Sequence, residues 1–164
     1  MIVLENILVA TDFSEPSEAA LTYGRDLART FGATLHVLHV VENIAIRFAN
    51  ETTSAFLPEL QAQVEQAARQ RIDALVTEED KTSLHATSAV ITSIGIADTI
   101  IRYATDHAAD LIVVGTHGRR ALAHLLMGSV AERVVRTAHC PVLTVRHPER
   151  EFVVADALVA AAGA

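Results

Sequence analysis

The sequence predicts a single doubly wound, three-layer α/β/α sandwich built on a five-stranded parallel sheet, and three observations carry that prediction. Five short aliphatic runs alternate with helix-patterned stretches, the order that right-handed crossovers turn into a parallel sheet covered on both faces. Each run is nearly uninterrupted in Val, Ile, Leu and Ala, as strands buried on both sides are. The 164 residues are 51% apolar but only 4% aromatic, with no Trp, so an aliphatic core of full size forms without disulfides or a structural metal. One domain is the expectation at this length.

The elements follow in order. Asn6 to Ala10 (NILVA) reads as the first strand. Thr11-Asp12-Phe13-Ser14 is a polar loop of helix-opening residues. From Glu15 to Phe31, Ala20, Gly24, Leu27, Ala28 and Phe31 recur at helical spacing, with Pro16 in the first turn and Gly32 at the C-terminal cap. Leu35 to Val41 is the second strand. Glu42 to Phe56 lacks periodicity and reads as a long loop; Leu57, Leu60, Val64, Ala67, Ala68, Ile72 and Leu75 then make one helical stripe. Leu84 to Ile91 is the third strand, and Gly95 turns into a helix with Ile96, Ile100, Ile101 and Ala104 on one face, ending near His107. Leu111 to Val114 is the fourth strand. Ser129 to Ala138 is a helix with Val130, Val134 and Val135 inward, and Pro141 to Val145 is the fifth strand. Domain residues 1–146 are followed by a tail, 147–164, whose apolar residues have weak helical order and read as an appended helix or frayed end.

A net charge of -7 argues against nucleic acid or an anionic membrane as partner, since both attract by summed positive charge. Cys140 is the one cysteine, which excludes an intrachain disulfide and a cysteine zinc cage. The first residues, MIVLENILVATD, have no basic leader and read as a strand. No stretch approaches the ~20 apolar residues of a membrane span. The expected location is the cytoplasm.

In a sheet of this kind ligands bind outside the carboxyl ends of the strands, where neighbouring crossovers leave for opposite faces. The loops after the first and fourth strands are therefore the ones that matter. Gly115 to Ser129 (GTHGRRALAHLLMGS) carries three glycines into a helix start, where a close-approaching backbone, unpaired N–H groups and partial positive charge suit a phosphate. Arg119 and Arg120 add positive charge, and Ser129 can cap the helix or donate its hydroxyl. The plainer account is a glycine turn with solvated arginines, and neither the P-loop nor the G-x-G-x-x-G spacing is present.

Gly115-x-x-Gly118, nine residues, then Gly128-Ser129 resembles the nucleotide loop of the universal stress protein family in its ATP-binding branch. The resemblance runs over residues 3 to 146 and includes ILVATDFS, LHV at 38–40, LIVVGTHGR, LLMGSVAERVV and CPVLTVR. It implies an adenine nucleotide alpha hydrolase-like (HUP-type) sheet. It further implies that Asp12 hydrogen-bonds the nucleoside and that Val40 meets adenine through its backbone. Gly115, His117, Gly118, Arg119, Gly128, Ser129 and Val130 would hold ribose and phosphates, with Mg or Mn bridging the phosphates of ATP. A homodimer through Val142 to Val145 is also implied. The chain departs from the family's pattern at Ala97, where a proline is frequent after Gly95, and in its longer tail.

Single residues have ordinary readings too. Asp12 is a natural helix cap, although a carboxylate beside a glycine loop suits ribose hydroxyls, the adenine edge or a metal ion, at roughly 1.5–3 kcal/mol per charge-assisted bond. His36 and His39 are three apart on a strand, so they face opposite sides and cannot share a metal. His117 and His124 lack a partner at metal spacing; His117 reads as a wall of the pocket. Cys140 reads as a buried small hydrophobe, and Glu65, Arg69, Arg71 and Asp73 as a solvated helix face.

The leading function is a nucleotide-binding stress regulator that biases dimer or partner contacts with little or no chemistry. An adenylylating or ATP-hydrolysing enzyme lacks its signatures HxGH or SGGxDS, and Glu132 sits inside a helix, so any hydrolysis would be slow. A phosphoacceptor domain needs an aspartate after the third strand and a lysine after the fifth, where Ile91-Thr92-Ser93 and Arg146 stand. A dimerising stress protein of the branch without ATP is opposed by the intact glycine spacing.

Overall fold

The computed structural model describes residues 1–47, 56–116 and 127–146. β1 (Asn6–Ala10), β2 (Thr34–Glu42), β3 (Thr87–Ser93), β4 (Leu111–Gly115) and β5 (Val142–Val145) form one sheet in the order β3-β2-β1-β4-β5. All four pairings are parallel. The helices are α1 (Glu15–Phe31), α2 (Ile44–Arg47), α3 (Leu57–Leu75), α4 (Glu78–Ser83), α5 (Ile96–Asp106) and α6 (Ser129–Thr137).

Alternation along the strands sorts the core into two layers. Ile7, Val9, Leu35, Val37 and Val113 pack on one face with Ala20, Leu21 and Ala28 of α1 and Ile72 of α3. Leu8, Leu38, Ile112 and Val114 pack on the other with Ile100 and Ala104 of α5 and Ala131 and Val134 of α6. The predicted three-layer sandwich is the observed one. Gly32 caps α1 with φ 67° and its N–H bonded to Ala28 O, as the sequence predicts.

Four local expectations change. The third strand starts at Thr87, not Leu84, because residues 78–83 form α4. Its signal is polar: Thr77 and Asp80 cap each other's backbones reciprocally, which no apolar stripe reports. The loop 42–56 contains the short α2, and residues 48–55 lie outside the described residues. The front of the α3 stripe is not covered: Leu60 and Val64 are 47% and 40% exposed, and burial is confined to Ala68 and Ile72. Val135 of α6 points outward while Ala131 is buried. The tail 147–164 lies outside the described residues.

Candidate functional site

The order β3-β2-β1-β4-β5 puts the switch point between β1 and β4: β1 leaves through α1 on one face, and β4 leads to α6 on the other. Ala10 and Val114 are register partners, so the Thr11–Ser14 loop and Gly115–Thr116 emerge side by side. Gly115 is required by this closeness. A Cβ there would stand 2.8 Å from the Pro16 carbonyl carbon, so the first turn of α1 can lie against the end of β4 only above a glycine.

The stretch between β4 and α6 is closed at its base. Thr116, buried, donates its N–H to Val145 O at 2.8 Å and accepts from Gly128 N–H at 2.6 Å. His117, Gly118 and Arg119, three of the expected site residues, lie outside the described residues. Gly128 is the N-cap of α6 in extended conformation, and being glycine it supplies no side-chain cap. Ser129, expected as a possible cap, is instead the first residue of the helix and is exposed, with Val130 half-buried beside it. The opening N–H groups of α6 thus lack a side-chain acceptor from the cap position, which suits an anion.

Asp12 is half-buried. It does not cap α1, whose N-cap is Ser14 with no side-chain cap bond. Its Oδ1 accepts from Ser14 N–H at 3.1 Å and from the Ser14 hydroxyl, so the ordinary reading of this carboxylate as a helix cap fails and the carboxylate is held at the strand end. Val40 side chain is buried in the α5–α6 core layer. β2 runs past the last β1 partner, Leu38, whose carbonyl accepts from Thr11 N–H. Backbone groups repeat direction every second residue, so those of Val40 face the space beyond β1.

Three residues that sequence reasoning missed cluster beside Asp12. Phe13 has φ 62°, a conformation costing a bulky residue of order 1–3 kcal/mol. Its ring centroid lies 4.4 Å from that of His39, and the Arg71 guanidinium sits 4.2 Å above the ring. Arg69, Arg71 and Asp73 are exposed, as a solvated face predicts, although Arg71 also covers this ring; Glu65 departs from that reading, being half-buried and accepting from Thr92 at 2.6 Å and from Gln61 at 3.1 Å. Those two hydrogen bonds hold the Glu65 carboxyl below its ordinary value. No local pattern announces a left-handed Phe, since glycine or asparagine is the usual occupant.

The remaining expectations divide. His36 and His39 do face opposite sides: His36 lies beside Tyr103 and His107, whereas His39 lies beside Phe13. Cys140 is half-buried, not buried, and burial together with the nearby Asp110 raises its thiol pKa, the inert condition expected of it. Glu132 is exposed and pairs with Arg136 at 2.8 Å. Among the described residues no three His, Cys, Asp or Glu side chains gather as a metal cage. None of the described helices is long and apolar enough to cross a membrane.

Residues 4–146 match the model of the universal stress protein family. The universal stress protein MJ0531 of Methanocaldococcus jannaschii is 32% identical over 148 residues, covering 90% of this chain and 85% of that protein. The solved structure of the hypothetical protein MJ0577, from the same organism, superposes with a TM-score of 0.75 at 25% identity over 91% of this chain and 100% of that one. A universal stress protein of Archaeoglobus fulgidus solved in complex with dAMP shares the fold, with a TM-score of 0.52 and 20% identity over 88% of this chain and 99% of that one. A parallel sheet in this order with its glycine-bearing switch point, matched along nearly its whole length, places the protein: the chain belongs to the universal stress protein family.

Proposed function

We propose that this protein binds ATP across the β1–β4 switch point and acts as a nucleotide-dependent stress regulator through dimer or partner contacts. One observation carries the reading: the Asp12 loop and the end of β4 lie side by side, brought together by the close approach of Gly115 to Pro16, and the Gly128 N–H to Thr116 O hydrogen bond ties the start of α6 to that strand end. Asp12 would take the nucleoside and the Val40 backbone the adenine edge. Gly115, His117, Gly118, Arg119, Gly128, Ser129 and Val130 would take ribose and phosphates. The dAMP complex of the Archaeoglobus fulgidus protein supports an adenine nucleotide as the class of ligand. Mg or Mn would be held chiefly through the phosphates, since no cage of three ligating side chains occurs among the described residues.

Residues 1–146 would act as one domain with 147–164 as an appended tail, in the cytoplasm. β5 is an outer strand of the sheet, as is β3, which suits edge-to-edge pairing of Val142–Val145 with a second copy. Glu132, the carboxylate in the first turn of α6, is paired with Arg136, which supports a reading of binding with slow hydrolysis at most.

The test is thermal melting with and without millimolar ATP and Mg. A ligand that binds only the native state adds RT ln(1 + [L]/Kd) to stability. Wild-type protein should melt higher with nucleotide. G128V should fold, because φ at that position is -67°, and should lose the shift because a side chain enters the phosphate approach. An unshifted wild type sinks the proposal.

A further inference from the structure

Phe13 is one of three non-glycine residues with positive φ among the described residues, with His85 and Ala108, and it is the one that neighbours Asp12; three elements contact it there. Its N–H donates to Thr11 Oγ1 at 3.0 Å, and that oxygen is also 3.0 Å from the buried Ser17 Oγ of α1. From β2, the His39 ring stacks on it at 4.4 Å, tilted by 39°. The same histidine lies 2.7 Å through Nδ1 from Thr11 O; a carbonyl only accepts, so Nδ1 carries the proton and donates. From α3, the Arg71 guanidinium covers the ring at 4.2 Å, within cation–π range.

We infer that Phe13, in contact with both His39 and Arg71, is a positioning residue that sets the Asp12 carboxylate for the nucleoside, and that Arg71 acts on nucleoside affinity through this ring. The inference rests on the nucleotide reading above and adds its nucleoside-specific control. The residues on either side of Asp12 are the two whose backbones are clamped: His39 holds the Thr11 carbonyl, and the Phe13 stack holds the next peptide. Between two fixed peptides the Asp12 side chain has few directions left, and Ser14 selects among them by donating to Oδ1. Preorganisation of this kind raises affinity by removing an ordering cost from the binding step. Phosphates, proposed to bind at the start of α6, owe nothing to it. The selectivity is the signature: loosening the stack should weaken what touches Asp12 and spare what touches α6.

Calorimetric titration of ATP, adenosine and inorganic tripolyphosphate separates the two halves of the ligand. In R71Q, affinity for ATP and adenosine should fall about threefold to fivefold, the size of an exposed cation–π contact, while tripolyphosphate affinity stays at the wild-type value. R71K, which keeps a cation over the ring, should recover most of the loss. F13G accepts the positive φ without strain and should therefore fold, yet bind adenosine more weakly than R71Q because the ring itself is gone. Wild-type ATP affinity in R71Q and F13G overturns the inference while leaving the nucleotide reading intact. Equal losses for ATP and tripolyphosphate also overturn it, since Arg71 would then act on phosphate charge. A wild type that binds none of the three removes the nucleotide reading and this inference together.

Discussion

The two ends of the sheet are built by different rules. At the amino end, polar groups are matched and closed. Asp80, 2% exposed, takes a bidentate grip from Arg25 and a backbone N–H from Thr77, and Arg25 also donates to Leu75 O at 2.7 Å. Asp110 accepts from Glu5 and Asn6 N–H at 2.7 and 2.9 Å. His36 is buried with Thr87 Oγ1 at 3.0 Å and Tyr103 OH at 3.5 Å from its Nδ1, and Tyr103 stacks on His107 at 3.8 Å. At the carboxyl end stand a strained phenylalanine, a close-approach glycine and a helix start whose N-cap glycine has no side chain to cap it. One sheet thus carries stability at one rim and a prospective ligand at the other.

The largest test of that division is D80A. Removing one partner of a buried, hydrogen-bonded pair leaves the other charge uncompensated and should cost about 3 kcal/mol in chemical denaturation, with the ATP-induced rise in Tm kept. Loss of the ATP shift in a folded D80A protein would show that the ends are not separable. Next in size is G115V, which forces a side chain into the Pro16 backbone. It should cost about 2 kcal/mol and remove nucleotide stabilisation as well, because the two loops can no longer lie together. A variant that keeps both wild-type stability and wild-type ATP affinity breaks the claim that this contact builds the site.

The smallest effect sharpens the comparison through pH. Burial first, then the neighbouring His107, holds the His36 pKa below its ordinary 6.5. The unfolded chain therefore takes up a proton before the native one does, so this contribution to stability is complete above about pH 6.5 and is lost as pH falls. Asp80 titrates in a separate window. Burial alone would raise its pKa, but hydrogen bonds from Arg25 and Thr77 outweigh that and hold it below 3.8, so its contribution is present at higher pH and lost only in strong acid. Denaturation midpoints of H36Q should decline less between pH 7 and pH 5 than those of wild type. An unchanged decline assigns the proton uptake to another group.

The fold was legible because burial on both faces leaves a plain trace: NILVA, LIVV and LHVLHVV cannot be surface segments of a protein this size. Asp12, Gly115 and Gly128 were legible as site candidates only with the help of the family resemblance, since a helix cap and a glycine turn are their ordinary readings. α4 was not, since its reciprocal cap of Thr77 and Asp80 is polar and short. Nor was Arg71, whose partner Phe13 is 58 positions away, or the reason for Gly115, which is a backbone in α1.

By itself the sequence determined the layer order and the five strands, the start of the third excepted, and pointed to the loops after β1 and β4 as candidates, because hydrophobic period and backbone permissiveness are local properties that each residue carries wherever it is placed. The tertiary structure alone decided which partners those loops meet: Asp12 held by Ser14 and not capping α1, Phe13 at positive φ against His39 and Arg71, and Glu65 bound to Thr92. Such contacts join residues distant in the chain through a particular packing of helices on a sheet, and their energies of about 1 kcal/mol each are too small to leave a pattern that composition or spacing could show.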